Sequence, residues 1–169
     1  MRMLVAGLGN VFLGDDGFGV EVVRRLSAET QPDGVRVADF GIRGLHLAYE
    51  LLDGYDTAVL VDATPRGGTP GELHLIEVGT DDLPQAATSD ELVAQGAVLD
   101  AHGMTPDAVL ALLVTLGGTP GRVLVLGCEP AVVREEMGLS APVAAAVEPA
   151  LAELRSLIEC RGEVRTCAS

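Results

Sequence analysis

The sequence predicts a three-layer α/β/α sandwich around a mainly parallel, five-stranded sheet. Short apolar segments with the length of buried strands alternate along the chain with segments of helical periodicity. This alternation is typical of a parallel sheet that is covered by helices on both faces. Of the 169 residues, 48% are hydrophobic and only 3% are aromatic, so we expect a core of aliphatic side chains. One domain over residues 1–162 and a flexible tail over 163–169 are expected.

The first part of the chain is predicted to contain three strands and two helices. Apolar side chains recur every four residues at Phe18, Val22 and Leu26, which indicates a helix that faces a core. Asp15 and Asp16 precede this helix and are expected to cap its exposed amide groups. The predicted strands are Met3–Leu8, Val35–Phe40 and Thr57–Asp62, and the predicted helices are Phe18–Glu29 and Leu45–Leu52.

The next predicted strand, Glu72–Val78, follows the third after only about nine residues. A parallel crossover usually needs a dozen residues or more, so we predict that this fourth strand runs antiparallel. Residues 79–101 are predicted to be irregular, and a connection of this length in a compact domain is often functional. Thr105 and Pro106 are typical of a helix start, as cap and first residue, and that helix should end at Gly117. A fifth strand at Arg122–Leu126 and a last helix at Pro142–Cys160 complete the prediction.

The charge of the chain limits its partners. Eleven basic and 25 acidic residues give a net charge of −14, which argues against nucleic acid and against anionic membranes, since both are recognised by basic surfaces. No apolar run approaches the roughly 20 residues of a membrane-spanning helix, and no signal peptide is recognisable. Cys128, Cys160 and Cys167 form no C-x-x-C pair, which favours free thiols in the cytoplasm. The oligomeric state is unknown at this stage.

The loop after the first strand contains Gly7 and Gly9, which are also found in dinucleotide-binding turns. The G-x-G-x-x-G pattern would place a third glycine at position 12, where the chain has Phe12. Two carboxylates at the entrance of the helix would also repel a pyrophosphate. We therefore expect no nucleotide cofactor, and the structural alternative is a tight turn between strand and helix.

Three side chains with possible chemistry are Asp16, Asp62 and His102, each in a loop that can reach the carboxyl ends of the strands, where ligands bind in such sheets. Taken singly, each has an ordinary explanation: a helix cap, a local turn made by an aspartate, or a surface histidine. Together, two carboxylates and one imidazole can bind Zn, Ni, Mn or Fe. The chain has no H-E-x-x-H helix, no G-x-S-x-G elbow and no cysteine in a setting typical of a nucleophile. The other histidines, His46 and His74, are expected to be structural or exposed.

The chain resembles the hydrogenase maturation endopeptidases. The resemblance is carried by L-V-A-G-L-G-N-V-F-L-G-D-D-G-F-G-V at Leu4–Val20 and, in the family's order and spacing, by Asp39–Gly44, Val59–Ala63, Ala101–Met104 and Gly127–Pro130. It implies an α/β/α sandwich that removes a C-terminal peptide from a hydrogenase large-subunit precursor after nickel insertion. It also implies that Asp16, Asp62 and His102 coordinate nickel in that substrate. Some members have glutamate where this chain has Asp16. The resemblance further implies that Asp39–Gly44 lines the cleft, with Phe40 where many members have glycine.

Three functional hypotheses follow. In the first, the nickel belongs to the precursor, the three residues hold it, and water attacks the nearby peptide bond with a carboxylate or a metal-bound hydroxide as base. In the second, the chain is a stand-alone metallopeptidase that holds its own zinc. In the third, it is a non-catalytic domain that only checks for nickel. The expected partner is the large-subunit precursor, which residues 79–101 would help to select.

Overall fold

The computed structural model describes residues 1–83 and 105–161. Within these ranges the strands are β1 (Met3–Leu8), β2 (Val35–Gly41), β3 (Thr57–Ala63), β4 (Leu73–Val78) and β5 (Arg122–Cys128). The α-helices are α1 (Phe18–Ser27), α2 (Gly44–Leu52), α3 (Pro106–Thr115) and α4 (Ala141–Glu159). Short 3-10 turns lie at Gly14–Gly17 and Thr80–Asp82. The predicted elements are confirmed to within two residues at each end. Most of the connection predicted as irregular, and the tail from residue 162, lie outside the described residues.

The five strands form one sheet in the order β2-β1-β3-β5-β4. The pairs β1–β2, β1–β3 and β3–β5 are parallel, whereas β4 is antiparallel to β5. The antiparallel direction predicted for β4 is therefore confirmed. The short β3–β4 connection allows this arrangement because it only has to cross the width of β5 at one edge of the sheet.

Helices cover both faces of the sheet, as the sequence predicts. Alternate strand residues such as Val5, Val59 and Leu124 pack with α1 and α4 on one face. Their neighbours, such as Leu4 and Leu60, pack with α2 and α3 on the other face. The result is a three-layer sandwich in which the central strands β1 and β3 are buried along their whole length. None of the helices in the two described ranges is both long enough and apolar enough to cross a membrane.

The predicted N-terminal cap is confirmed for α3 but not for α1. Thr105 caps α3, because its hydroxyl accepts a hydrogen bond of 3.3 Å from the amide of Ala108, and Pro106 is the first residue. The predicted capping of α1 by Asp15 and Asp16 is wrong. The N-cap of this helix is Gly17, which has no side chain that could cap it. A 3-10 turn at Gly14–Gly17 separates the two aspartates from α1, and their carboxylates bind other partners.

The start of α1 lies directly on the sheet, where β1 and β3 end. A side chain at Gly19 has no space there: its Cβ would overlap the carbonyl oxygen of Val61 and lie 2.5 Å from that of Leu8. Similarly, a Cβ at Gly7 would lie 2.6 Å from the carbonyl oxygen of Gly19. The glycines therefore allow the loop between β1 and α1 to reach the end of β3.

Replacing Gly19 by alanine is expected to lower the free energy of unfolding by about 3 kcal/mol or more, because backbone atoms must move. Gly67→Ala is the matched control, since Gly67 has φ +77° but open space around a Cβ. That substitution should cost only about 1 kcal/mol, for the left-handed backbone alone. Urea denaturation of both variants measures the difference, and equal losses would contradict the close contact described above.

Candidate active site

Asp16 and Asp62 are brought together at the carboxyl edge of the sheet. Asp62 is the penultimate residue of β3 and is only 6% exposed, while Asp16 lies in the 3-10 turn after β1 and is half-buried. Gly9 lies between them: a Cβ there would overlap the carbonyl oxygen of Asp16 and lie 3.7 Å from Asp62 Oδ1. The segments that carry these two aspartates therefore meet at the predicted edge of the sheet.

Each of the two carboxylates accepts one hydrogen bond from a backbone amide. The amide of the next residue, Ala63, donates to Asp62 Oδ1 at 2.8 Å. The amide of Asn10 donates to Asp16 Oδ2 at 2.8 Å. Within residues 1–83 and 105–161, neither carboxylate forms a salt bridge. Two acidic groups thus lie close together without an ion pair to a basic side chain of the described residues.

The electrostatic consequence falls on Asp62. Burial raises the pKa of this carboxyl to about 8, the negative charge of Asp16 contributes in the same direction, and the hydrogen bond from Ala63 opposes both. Asp62 is therefore mainly protonated at neutral pH in the free protein. A cation bound beside it would favour the ionised form and would displace the proton.

The third residue predicted for the site, His102, lies outside the described residues. Among the residues that are described, no group of three His, Cys, Asp or Glu side chains could hold a metal ion. His46 is exposed on α2, and His74 lies on β4, paired with Gly127. The structure thus places two of the three predicted residues together.

A cleft of about 530 Å³ extends from Asp62 toward β4 and the start of α3. Apolar residues of β4, β5 and the start of α3 line it, together with acidic side chains. The residues that line it include Asp62, Thr64, Arg66, Ile76, Val78, Asp82, Thr105, Asp107 and Val125.

Two exposed apolar side chains lie at the same edge of the sheet as Asp16. Phe12 is 66% exposed and Met137 is 67% exposed, and both belong to loops at this edge of the sheet. The two loops are joined, since the amide of Glu136 donates to the carbonyl oxygen of Phe12 at 3.1 Å. Phe12 also lines a small hollow with Ile42 from the Asp39–Gly44 segment. Grouped apolar side chains of this kind often mark a protein contact.

Cys128, at the end of β5, is not suited to act as a nucleophile. Burial raises the pKa of its thiol to about 11, and the charges of Asp15 and Glu129 contribute in the same direction. The reactive thiolate is therefore scarce at neutral pH. This agrees with the sequence, in which no cysteine has a setting typical of a nucleophile.

Sequence reasoning missed the role of Asp15. Its carboxylate is fully buried and accepts hydrogen bonds from the loop after β5, from the amides of Ala131, Val132 and Ser140 and from the Ser140 hydroxyl. Burial raises the pKa of Asp15, but these hydrogen bonds outweigh burial and hold the pKa below its ordinary value. The pair of adjacent aspartates was the only signal for this residue in the sequence, and it does not reveal a partner more than 100 residues away.

A sequence profile described as hydrogenase maturation protease matches residues 20–156, which is more than half of the chain. The chain belongs to the hydrogenase maturation protease family. Members of this family are peptidases, so the chain is a hydrolase of the peptidase type. The α/β fold and the recognition made from the sequence are both confirmed.

Individual relatives of this hydrogenase maturation protease agree with that assignment. The hydrogenase expression/formation protein HupM of Azotobacter chroococcum is 32% identical over 167 residues, which cover 98% of this chain and 75% of HupM. The hydrogenase maturating endopeptidase HybD from Escherichia coli has a similar structure, with a TM-score of 0.71 and 27% identity over 95% of this chain and 94% of HybD. A hydrogenase 2 maturation peptidase from a Thaumarchaeota archaeon gives a TM-score of 0.68 with 33% identity, over 96% of this chain and 100% of that chain.

The high pKa of Asp62 predicts how stability changes with pH in the metal-free protein. The folded state binds a proton at about pH 8 that the unfolded chain, with a pKa of 3.8, releases. The stabilising contribution of protonated Asp62 is therefore complete below about pH 4 and is lost as the pH rises through about 8. Over this range the free energy of unfolding should fall by up to about 1.4 kcal/mol per pH unit relative to Asp62→Asn.

Urea titrations of both proteins at a series of pH values, in buffer treated with chelator, measure that difference. The comparison with Asp62→Asn cancels the titration of the other acidic groups. A constant difference in the free energy of unfolding from pH 4 to pH 8 would show that Asp62 has an ordinary pKa.

Proposed function

We propose that this protease removes the C-terminal extension of a [NiFe]-hydrogenase large-subunit precursor after nickel insertion, and that Asp16, Asp62 and His102 bind the nickel of that precursor. The observation that carries this proposal is the pair of neighbouring carboxylates at the sheet edge, which have no cationic partner in the described residues. A divalent cation would offset the repulsion between them. The names of the relatives, which refer to hydrogenase maturation, support the choice of partner.

Nickel that belongs to the substrate fits the site better than a resident metal. A free ion would have to displace the proton of Asp62, whose pKa is about 8. Two carboxylates and one imidazole also provide few ligands for tight binding. A nickel ion already held by ligands of the precursor needs fewer from the protease. Under this proposal the peptidase therefore binds tightly only when the precursor has received its metal.

The position of His102 in the chain is compatible with this role. His102 precedes Thr105 by three residues, and Thr105 lines the same cleft as Asp62. Three residues of chain span at most about 11 Å. The length of chain between Thr105 and His102 therefore permits an imidazole near the two carboxylates, which supports including His102 in the ligand set.

Peptide cleavage would then depend on positioning. Binding of the nickel fixes the precursor relative to the protease, so the extension lies along the cleft beside Asp62. Holding the reacting groups together in this way removes much of the entropic barrier to attack by water. The ion, as part of the substrate, polarises the groups that bind it. A carboxylate oxygen of the site that does not bind the ion accepts a proton from the attacking water. It returns this proton to the peptide nitrogen as the C–N bond breaks, so the extension leaves as a free amine. The free thiols of Cys128 and Cys160 are consistent with the cytoplasm as the place of this reaction.

The proposal predicts cleavage only of the nickel-loaded precursor. Asp16→Asn, Asp62→Asn and His102→Ala should each lower kcat/KM by about 100-fold or more, because loss of one ligand displaces the substrate. His46→Ala is the matched control, since His46 is an exposed histidine on α2, and it should retain the wild-type rate. Mass spectrometry of the precursor after incubation with each variant measures product formation.

Other outcomes of this assay favour the other functions. Full activity on nickel-free precursor, together with one equivalent of zinc bound to the purified protease, indicates a stand-alone metallopeptidase. Binding of the nickel-loaded precursor without any product indicates a domain that only checks for the metal. Either result contradicts the proposal.

The exposed apolar side chains beside Asp16 are proposed to contact the folded part of the precursor. Phe12→Ala should raise KM about 10-fold with little change in kcat, since it removes binding that is the same in the ground state and the transition state. Leu116→Ala is the control, because Leu116 is also an exposed apolar residue but lies after α3, at the opposite edge of the sheet. Steady-state kinetics with the nickel-loaded precursor distinguish the two, and equal KM values would exclude contact through Phe12.

A further inference from the structure

We propose that Asp15 is a positioning residue of the active site, which anchors the turn that carries Asp16 to the loop between β5 and α4. The inference deepens the proposed function, because it takes Asp16 as a ligand for the metal of the substrate. It assigns different roles to two adjacent aspartates. Asp16 faces the substrate, and Asp15 faces the interior and keeps Asp16 in place beside Asp62.

The contacts of Asp15 account for its whole carboxylate. Oδ1 accepts a hydrogen bond of 2.7 Å from the amide of Ser140. Oδ2 accepts three bonds of 2.8 Å, from the amides of Ala131 and Val132 and from the hydroxyl of Ser140. The side chain is 0% exposed, so none of these bonds competes with bulk water. One carboxylate thus holds both ends of the segment from residue 131 to 140.

Backbone contacts join the same two segments. The amide of Asp15 donates to the carbonyl oxygen of Val132 at 2.8 Å, and the amide of Gly14 donates to that of Glu136 at 2.7 Å. A Cβ at Gly14 would lie 2.8 Å from the carbonyl oxygen of Val132. The turn and the loop therefore have little freedom to move separately while Asp15 holds them.

Fewer hydrogen bonds from the described residues hold Asp16 than hold Asp15. Its carboxylate accepts the bond from the amide of Asn10, and its own amide donates to the carbonyl oxygen of Leu13 at a long 3.3 Å. The direction of its side chain is set by the backbone of the turn, of which Asp15 is the anchored residue. Movement of that turn by about 1 Å would be enough to impair a catalytic geometry.

A purely stabilising role would not require a carboxylate at this position. Burial of an acidic group without a cationic partner is costly unless hydrogen bonds satisfy it fully, and apolar contacts often stabilise a protein as well or better. The two segments that Asp15 joins also present Phe12 and Met137, the exposed residues on either side of the joined loops. The anchor therefore sets the relative positions of the metal ligand and the proposed contact surface.

The test compares Asp15→Asn with Glu129→Gln. Both substitutions replace a buried carboxylate by an amide of similar shape, and both residues accept bonds from backbone amides at the same edge of the sheet. Glu129 binds the amides of Arg66 and Gly67, in the turn after β3, and not the turn that carries Asp16. In Asp15→Asn, the new NH2 group faces amide donors whichever way it is oriented, so at least one of the bonds is lost.

The first measurement is hydrogen exchange of the Asn10 amide by NMR, because this amide donates to Asp16 and reports the position of its carboxylate. Exchange of the Val59 amide in the central strand β3 corrects for a change in overall stability. In Asp15→Asn the corrected exchange at Asn10 should rise at least about 10-fold, and in Glu129→Gln it should stay at the wild-type value. The second measurement is kcat/KM on the nickel-loaded precursor, which should fall about 10- to 100-fold in Asp15→Asn at unchanged concentration of folded protein.

Equal corrected exchange at Asn10 in the two variants would overturn the inference and leave Asp15 a stabilising role only. This measurement uses no substrate, so it decides the inference even if the wild-type protein does not cleave the precursor. Activity retained in Asp16→Asn would instead contradict the proposed function. If Asp15→Asn does not fold, Ser140→Ala decides: it removes one donor to Asp15 Oδ2 and keeps the others. An increase of about 3-fold at Asn10 is then expected, and no increase would overturn the inference.

Discussion

The contact between Gly19 and the carbonyl groups at the ends of β1 and β3 allows Asp16 and Asp62 to lie at the same place on the sheet edge. Because Gly19 has no side chain, α1 begins directly on the sheet, and the loop before it crosses the end of β3. Gly9 allows that loop to pass between the two acidic residues. Only then does Asp16, which follows β1, lie beside Asp62, which belongs to a different strand. The close contact is thus the structural condition for a site made from two separate segments.

Two neighbouring carboxylates repel each other when both are ionised, and protonation of one of them removes this repulsion. Burial and the charge of Asp16 raise the pKa of Asp62 to about 8, so one of the two groups is neutral before the substrate binds. A strained site of this type is common where function requires it. The same energy favours a cation that can bind both groups, and under the proposed function the metal ion of the precursor would be that cation. Under the proposed function, the difference between the two states would be the physical basis for sensing whether nickel is present.

The sequence was sufficient for the elements and their order, but not for the contacts between distant segments. Local periodicity and turn residues located every strand and α-helix in the described ranges but neither of the 3-10 turns. The short β3–β4 connection predicted the direction of β4. Asp62 was identified because a carboxylate at the end of an apolar strand is unusual. The capping roles of Asp15 and Asp16 were predicted wrongly, because the 3-10 turn before α1 redirects both side chains. The bonds from Asp15 to Ser140 span 125 residues, and no local pattern in one sequence can indicate a partner so far away.

Asp15 and Asp16 show how environment alone can separate the roles of identical side chains. The carboxylate of Asp15 accepts hydrogen bonds from four donors and remains ionised without a metal, so it has little remaining capacity to bind a ligand. Asp16 accepts one such bond from the described part of the chain, and its second oxygen is the one that would bind the cation under the proposed function. Exchange of the two environments would leave the composition unchanged and remove the site. The specificity of this edge of the sheet therefore depends on which carboxylate is satisfied by the fold and which one is not.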